Sequence, residues 1–290
     1  MCLTSEDRIA HGILAGVKLA VKPLIVGTLS PKEVTDYFRT KQEEVDGGLE
    51  LIPGKLRIRK VTKEDVGMFS GEPYRWRQDQ IPLIGEVLIE GEYSHESEFL
   101  AEFNIITNTQ LALCLLKTEH VFLKSLYSFS KVSNVPNEWH ILLPIPIPDI
   151  FAQFGISIHP DDKEAIINLL KKINAIDFKN NSSLMIACSR FLRSYHDLYI
   201  EDKLIDLIIS FEALFIRSRK GNKGHRIGKK CSELIEKYKT ERKTIYNDLK
   251  RAYDIRNDII HGSPFDKNEI GQLLPSIENY LRKSILRQIP

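Results

Sequence analysis

The stretch Leu249-Lys250-Arg251-Ala252-Tyr253-Asp254-Ile255-Arg256-Asn257-Asp258-Ile259-Ile260-His261-Gly262-Ser263-Pro264 decides how the second half of this chain is read. Leu249, Ala252, Tyr253, Ile259 and Ile260 recur at helical spacing and form one apolar stripe, with Arg256 inside it. A guanidinium keeps its proton at cellular pH, so on an interior face it requires a carboxylate, a phosphate or a wet cleft. His261 follows five residues on, about 140° further round a regular helix. Gly262 and Pro264 are stop signals, so His261 falls in the last turn or at the cap. An interior Arg beside a titratable imidazole suits chemistry on a phosphodiester.

Helical periodicity surrounds this stretch. Residues 161–176 carry Ile166, Leu169, Leu170 and Ile173 on one face, with Asp161 or Asp162 capping the start. Residues 183–199 repeat the pattern with Ala187, Cys188, Phe191, Leu192 and Tyr195. The segment 203–216 is apolar nearly all round, which predicts a central, buried helix. A basic loop holding Gly221 and Gly224 leads to helices over 225–238, 242–261 and 267–287. Helices joined by short turns make a bundle.

Ahead of the bundle, segments over 56–61, 83–93, 99–107 and 140–147 are short, β-branched and bounded by turn residues. Ser94-His95-Glu96-Ser97 reads as a hairpin loop, and 31–40 after Ser30 as a short capped helix. Pro144-Ile145-Pro146-Ile147-Pro148 is either a domain boundary or the end of an edge strand, since alternate prolines remove backbone donors. The expected fold class is therefore α+β: a β-rich domain over 1–150, then an all-α helical bundle over 151–290.

Two features extend the phosphodiester reading. Glu212 sits within the buried helix, so its carboxylate needs a cationic or hydrogen-bonded partner, which Arg226 or Arg256 could supply. That contact serves equally as an ion pair fixing helix packing or as a device orienting Arg256. Between Arg217 and Arg256, fourteen Lys and Arg stand against five Asp and Glu, about +9 in a chain whose net charge is +2. Arg219, Lys220, Lys223, Lys229 and Lys230 are the expected polyanion contacts, and a solvated basic face is the competing reading. Trp76, between Arg75 and Arg77 and after Tyr74, is either a base-stacking patch or core packing.

The Arg-Asn-x-x-x-His string at 256–261, the apolar helix 204–215 and the helix start His225-Arg226-Ile227-Gly228-Lys229-Lys230 resemble the HEPN family, in particular its Apea-like branch. The resemblance covers residues 160–290. It implies a metal-independent ribonuclease with Arg256 and His261 catalytic, Asn257 at the motif's polar position and Asp258 beside it. It also implies a homodimer with one composite cleft, and a role in defence against invading elements or toxin-like RNA cutting. The residues suit that chemistry: His261 can take the proton of a ribose 2′-hydroxyl, and Arg256 can stabilise the charge on a pentacoordinate phosphate. A non-catalytic HEPN module, binding RNA or nucleotide or serving as a dimerisation scaffold, is the alternative.

Other classes find no support. With 42% hydrophobic and 28% charged residues the chain reads as globular rather than disordered. Cys2, Cys114, Cys188 and Cys231 have no metal-like spacing and suit a reducing cytoplasm. Asp206 and Glu212 interrupt the longest apolar helix, so no membrane span is expected. Lys18 and Lys22 spoil the run 13–26 as a signal peptide. Gly224-His225-Arg226-Ile227-Gly228-Lys229-Lys230 lacks the spacing and the Ser or Thr of a P-loop. The eight His residues show no ligand spacing, so no metal and no cofactor are expected.

Overall fold

The computed structural model describes residues 7–15, 17–19, 48–53, 56–60, 62–63, 87–94, 105–117, 122–130, 138–144, 156–197, 199–216 and 221–290. They belong to two compact units, Met1–Asn174 and Ala175–Pro290. Helix outweighs strand among them.

The first unit holds strands β1 (Asp7–Ala15), β2 (Val17–Leu19), β3 (Leu49–Ile52), β4 (Leu56–Lys60), β5 (Val87–Ser94), β6 (Phe122–Ser130), β7 (Glu138–Pro144) and β8 (Ile156–Ile158), with helices α1 (Ile105–Leu116) and α2 (Lys163–Asn174). Six strands form an antiparallel sheet in the order β3-β4-β5-β1-β6-β7, while β2 and β8 pair in parallel. The two-residue period puts Leu49 and Leu51 of β3, and Leu56 and Ile58 of β4, in the core. Exposed Glu50 and Arg57 alternate with them. Helix α1 packs on α2, β5 and β1, and α2 also meets β3. Pro144 closes β7, an end strand of the six-stranded sheet, opposite Ser125.

Two sequence expectations change here. Residues 105–107 begin helix α1 rather than ending a strand. Ile106 and every residue from 108 to 115 are buried, so enclosure on all sides outweighs the β-preference of Ile105, Ile106, Thr107 and Thr109. Strand β5 pairs with β4 and β1, not with a hairpin partner after Ser94. The two compact units meet in sequence at Asn174 and Ala175, and Ile166, Leu169, Leu170 and Ile173 of α2 are buried. The segments 31–40, 95–97 and Tyr74–Arg77 lie outside the described residues.

The second unit is a bundle of α3 (Ser182–Arg193), α4 (Ile200–Phe215), α5 (Lys223–Ile235), α6 (Lys239–His261) and α7 (Lys267–Gln288). Helix α4 touches each of the other four, as its nearly uniform apolar surface predicts. Leu204, Leu207, Ile208 and Phe211 are wholly enclosed. Its last turn is closed by Lys230 of α5, whose Nζ donates to the Phe215 carbonyl at 2.8 Å. Asn181, Asn222 and Asp266 cap the starts of α3, α5 and α7 with side-chain oxygens. At the end of α6, Gly262 adopts φ +71°, a left-handed cap that lets its N–H and that of Ser263 bond back to the Ile259 and Asp258 carbonyls.

Helices α5 and α6 approach through two glycines one helical turn apart. A Cβ on Gly224 would meet Tyr253, and one on Gly228 would meet Tyr246 at 2.9 Å and its carbonyl oxygen at 3.0 Å. The glycine pair that resembles a phosphate loop is therefore a helix-packing seam. Charge is also buried: Glu278 of α7 accepts from Tyr195 (2.8 Å) and pairs with Lys203 (2.9 Å) and Arg282 (3.2 Å). Asp206 of α4 meets Arg190 (2.8 Å) and Arg193 (3.1 Å) of α3.

Candidate active site

Arg256 projects from α6 with 18% of its side chain exposed. Its Nη2 stands 4.0 Å from Oε2 of Glu212 on α4, too far for a hydrogen bond, so the attraction is purely coulombic. Nη1 donates to Oδ1 of neighbouring Asn257 at 3.2 Å. The guanidinium carbon lies 5.7 Å from the ring centre of Tyr253, one helical turn back. Nε is enclosed and has no hydrogen-bond partner among the described residues. The guanidinium is thus held on three sides while much of its donor capacity is unused.

Glu212 is itself restrained. Its Oε1 accepts from the Tyr253 hydroxyl at 3.1 Å and from Lys223 Nζ at 3.2 Å. Burial first, and the Glu212 charge second, push the Tyr253 phenol above its ordinary pKa, so the hydroxyl remains a donor. Lys223 is the first residue of α5, placed by the Asn222 cap, which accepts from His225 N at 3.0 Å. Glu212 therefore meets Arg256 and also Lys223, a lysine that reads in sequence as a polyanion contact. Half-buried Arg226 lies three residues further along α5.

His261 ends α6 and is exposed, and its side chain makes no hydrogen bond to a described residue. The left-handed Gly262 stops the helix directly after it. Asp258 is half-buried, and its carbonyl receives the Ser263 N–H at 2.8 Å. Of the basic residues expected at the surface, Lys229 is exposed and Lys230 closes α4, while Arg219 and Lys220 lie outside the described residues. The fold thus gathers Arg256, Asn257, Glu212 and Lys223 into one cluster and puts His261 on the same helix at its open end.

The hydroxyl of Tyr253 is the functional group that stripe reading misses. Its signal is a tyrosine three residues from an interior arginine, whose polar tip must find a partner when the ring is buried. Burial pushes the Cys188 and Cys231 thiols up to about 12, so neither is a ready nucleophile. Among the described residues no three of His, Cys, Asp and Glu gather as metal ligands, and no helix is long and apolar enough to cross a membrane. Comparison with protein-family models, with curated proteins and with solved structures finds no match to this chain.

Proposed function

We propose that this protein is a metal-independent RNA endonuclease of HEPN type, acting through the ribose 2′-hydroxyl. The observation that carries the reading is Arg256: a part-buried guanidinium whose Nε has no partner among the described residues, with a carboxylate held just beyond hydrogen-bonding reach. Such a group is prepared to bind a phosphate oxygen and to stabilise charge that builds on it. Exposed His261, on the same helix, is the general base that takes the 2′-hydroxyl proton. The 2′-oxygen then bonds to phosphorus and the P–O5′ bond breaks. The leaving oxygen takes a proton from a second imidazole, and the products are a 2′,3′-cyclic phosphate and a 5′-hydroxyl.

One such His per chain calls for a homodimer that joins two motifs in one cleft. Asn257 orients Arg256, Glu212 supports it, and Asp258 and Arg226 flank the cluster. Arg219, Lys220, Lys223, Lys229 and Lys230 draw in the RNA backbone, whose phosphates dominate affinity. The strand-bearing N-terminal half acts as a β-rich sensor or specificity domain, and the setting is a cytoplasmic response to invading elements. A non-catalytic module binding RNA or nucleotide, or a dimerisation scaffold, is the second reading. The ion pairing of Glu212 with Lys223 favours it, because that contact also serves helix packing.

The test is cleavage of a mixed RNA pool with EDTA present, comparing wild type with Arg256→Ala and His261→Ala and mapping the ends. Cyclic-phosphate ends that vanish in both variants support the nuclease. An inert wild type that still binds RNA shifts the reading to a binding module. A strict monomer at micromolar concentration by light scattering counts against the composite cleft.

A further inference from the structure

We infer that Tyr253 is a positioning residue that keeps Glu212 from closing onto Arg256, holding the guanidinium available for a phosphodiester. The inference rests on the proposed role of Arg256 and deepens it. An arginine beside a carboxylate normally closes into a short, often bidentate pair. Here the incentive to close is strong, because Nε is enclosed without a partner among the described residues, and an unsatisfied buried donor is costly. Yet Oε2 of Glu212 stays 4.0 Å from Nη2.

The cause lies on the carboxylate's other oxygen. Oε1 is bonded to the Tyr253 hydroxyl at 3.1 Å and to Lys223 at 3.2 Å. Of these two, the tyrosine is the rigid anchor. Its ring is stopped by α5, where a Cβ on Gly224 would already stand 3.0 Å from Cδ1 and 3.1 Å from Cγ. Lys223 is one-third exposed on a flexible stem and follows the carboxylate wherever it goes. The same tyrosine ring faces Arg256, so one side chain spaces the acid from the base. A carboxylate tethered in this way tempers the guanidinium's charge without consuming its donors.

Tyr253→Phe keeps the ring and removes only the hydroxyl. Two readouts separate this inference from the enzymatic one. The first uses no RNA: the Arg256 side-chain Nε–H resonance of the full chain, assigned by its loss in Arg256→Lys. In Tyr253→Phe it is expected to shift, with slowed guanidinium rotation as the pair closes. Adding Glu212→Gln is expected to return it towards wild type. An unchanged resonance overturns the inference.

The second readout is affinity for a single-stranded, 2′-O-methylated RNA that cannot be cleaved. Tyr253→Phe is expected to bind about tenfold more weakly, the scale of one charge-assisted hydrogen bond. Its melting temperature is expected to hold or rise, and Tyr253→Phe/Glu212→Gln should regain affinity. A merely structural tyrosine gives the opposite pattern, a fall in melting temperature that Glu212→Gln does not restore, and that result overturns the inference. If wild type binds no RNA, the functional proposal fails while the resonance still decides the positioning role.

Discussion

Gly224 and Tyr253 are in contact so close that the glycine's missing Cβ is what admits the ring: an added methyl would lie 3.0–3.2 Å from three of its carbons. The neighbouring turn is tighter, with Tyr246 Cδ2 at 2.9 Å and its backbone oxygen at 3.0 Å from a Cβ on Gly228. Helix propensity alone favours Ala over Gly by about 1 kcal/mol. At Gly228 overpacking against backbone outweighs that gain, and Gly228→Ala is expected to destabilise by about 1–3 kcal/mol. Gly271, exposed on α7 with nothing within 4 Å of its added Cβ, is the control. Gly271→Ala should stabilise by about 0.5–1 kcal/mol. Urea denaturation of both variants checks the contrast; equal effects would sink the packing argument.

The two buried carboxylates should respond very differently to truncation. Glu278→Ala removes the carboxylate that pairs with Arg282 and Lys203, whose side chains are only 7% and 13% exposed, and the acceptor of the Tyr195 hydroxyl. Breaking a buried pair from one side costs about 3–5 kcal/mol. Asp206→Ala releases Arg190 and Arg193, which are 35% and 65% exposed and can turn to water. Its cost should be nearer 1–2 kcal/mol, the range of a lost hydrogen bond to a charged group. Calorimetric melting of both variants tests the ranking.

His196 and Asp197 are adjacent and titrate in opposing senses. Burial pushes the His196 imidazole down to about 4 from 6.5, so folding resists its protonation. Its contribution to stability is lost as pH falls from 6.5 towards 4. Burial, then repulsion from Asp206, pushes Asp197 up to about 6 from 3.8, with Asp202 adding repulsion and Arg193 and Lys203 opposing it. Its contribution is lost as pH rises from 3.8 towards 6. Relative to wild type, Asp197→Asn should therefore gain stability as pH rises through 4–6, and His196→Gln should lose it. Stability profiles with the same slope for both variants would refute the assignment.

Much of the helical half is legible because its stripes are amphipathic. Ile166, Leu169, Leu170 and Ile173 mark α2, and the uniform surface of 203–216 marks α4 as central, since one side of each pattern must meet a core. Helix α1 is illegible for the converse reason: buried on every side and rich in β-branched residues, it shows no stripe. The apolar pattern marks neither Glu278 nor Arg282, yet their four-residue spacing lets them pair inside the bundle. At the candidate site, Arg256, Glu212 and His261 are visible as polar residues in or beside an apolar pattern. The meeting of Lys223 and Tyr253 on Glu212 is not, because it depends on which helices are neighbours. That follows from the glycine seam and not from local periodicity.

The closure of α4 by Lys230 bears on how strongly this bundle can attract a polyanion. Its ammonium is already committed to the Phe215 carbonyl. Arg242 is likewise bound to the Glu236 carbonyl and Arg251 to the Glu269 carboxylate. Each such cation has fewer free donors for a phosphate, and the Arg251 charge is already balanced by a carboxylate. The salt dependence of any nucleic-acid binding should accordingly be shallower than fourteen Lys and Arg between 217 and 256 would suggest.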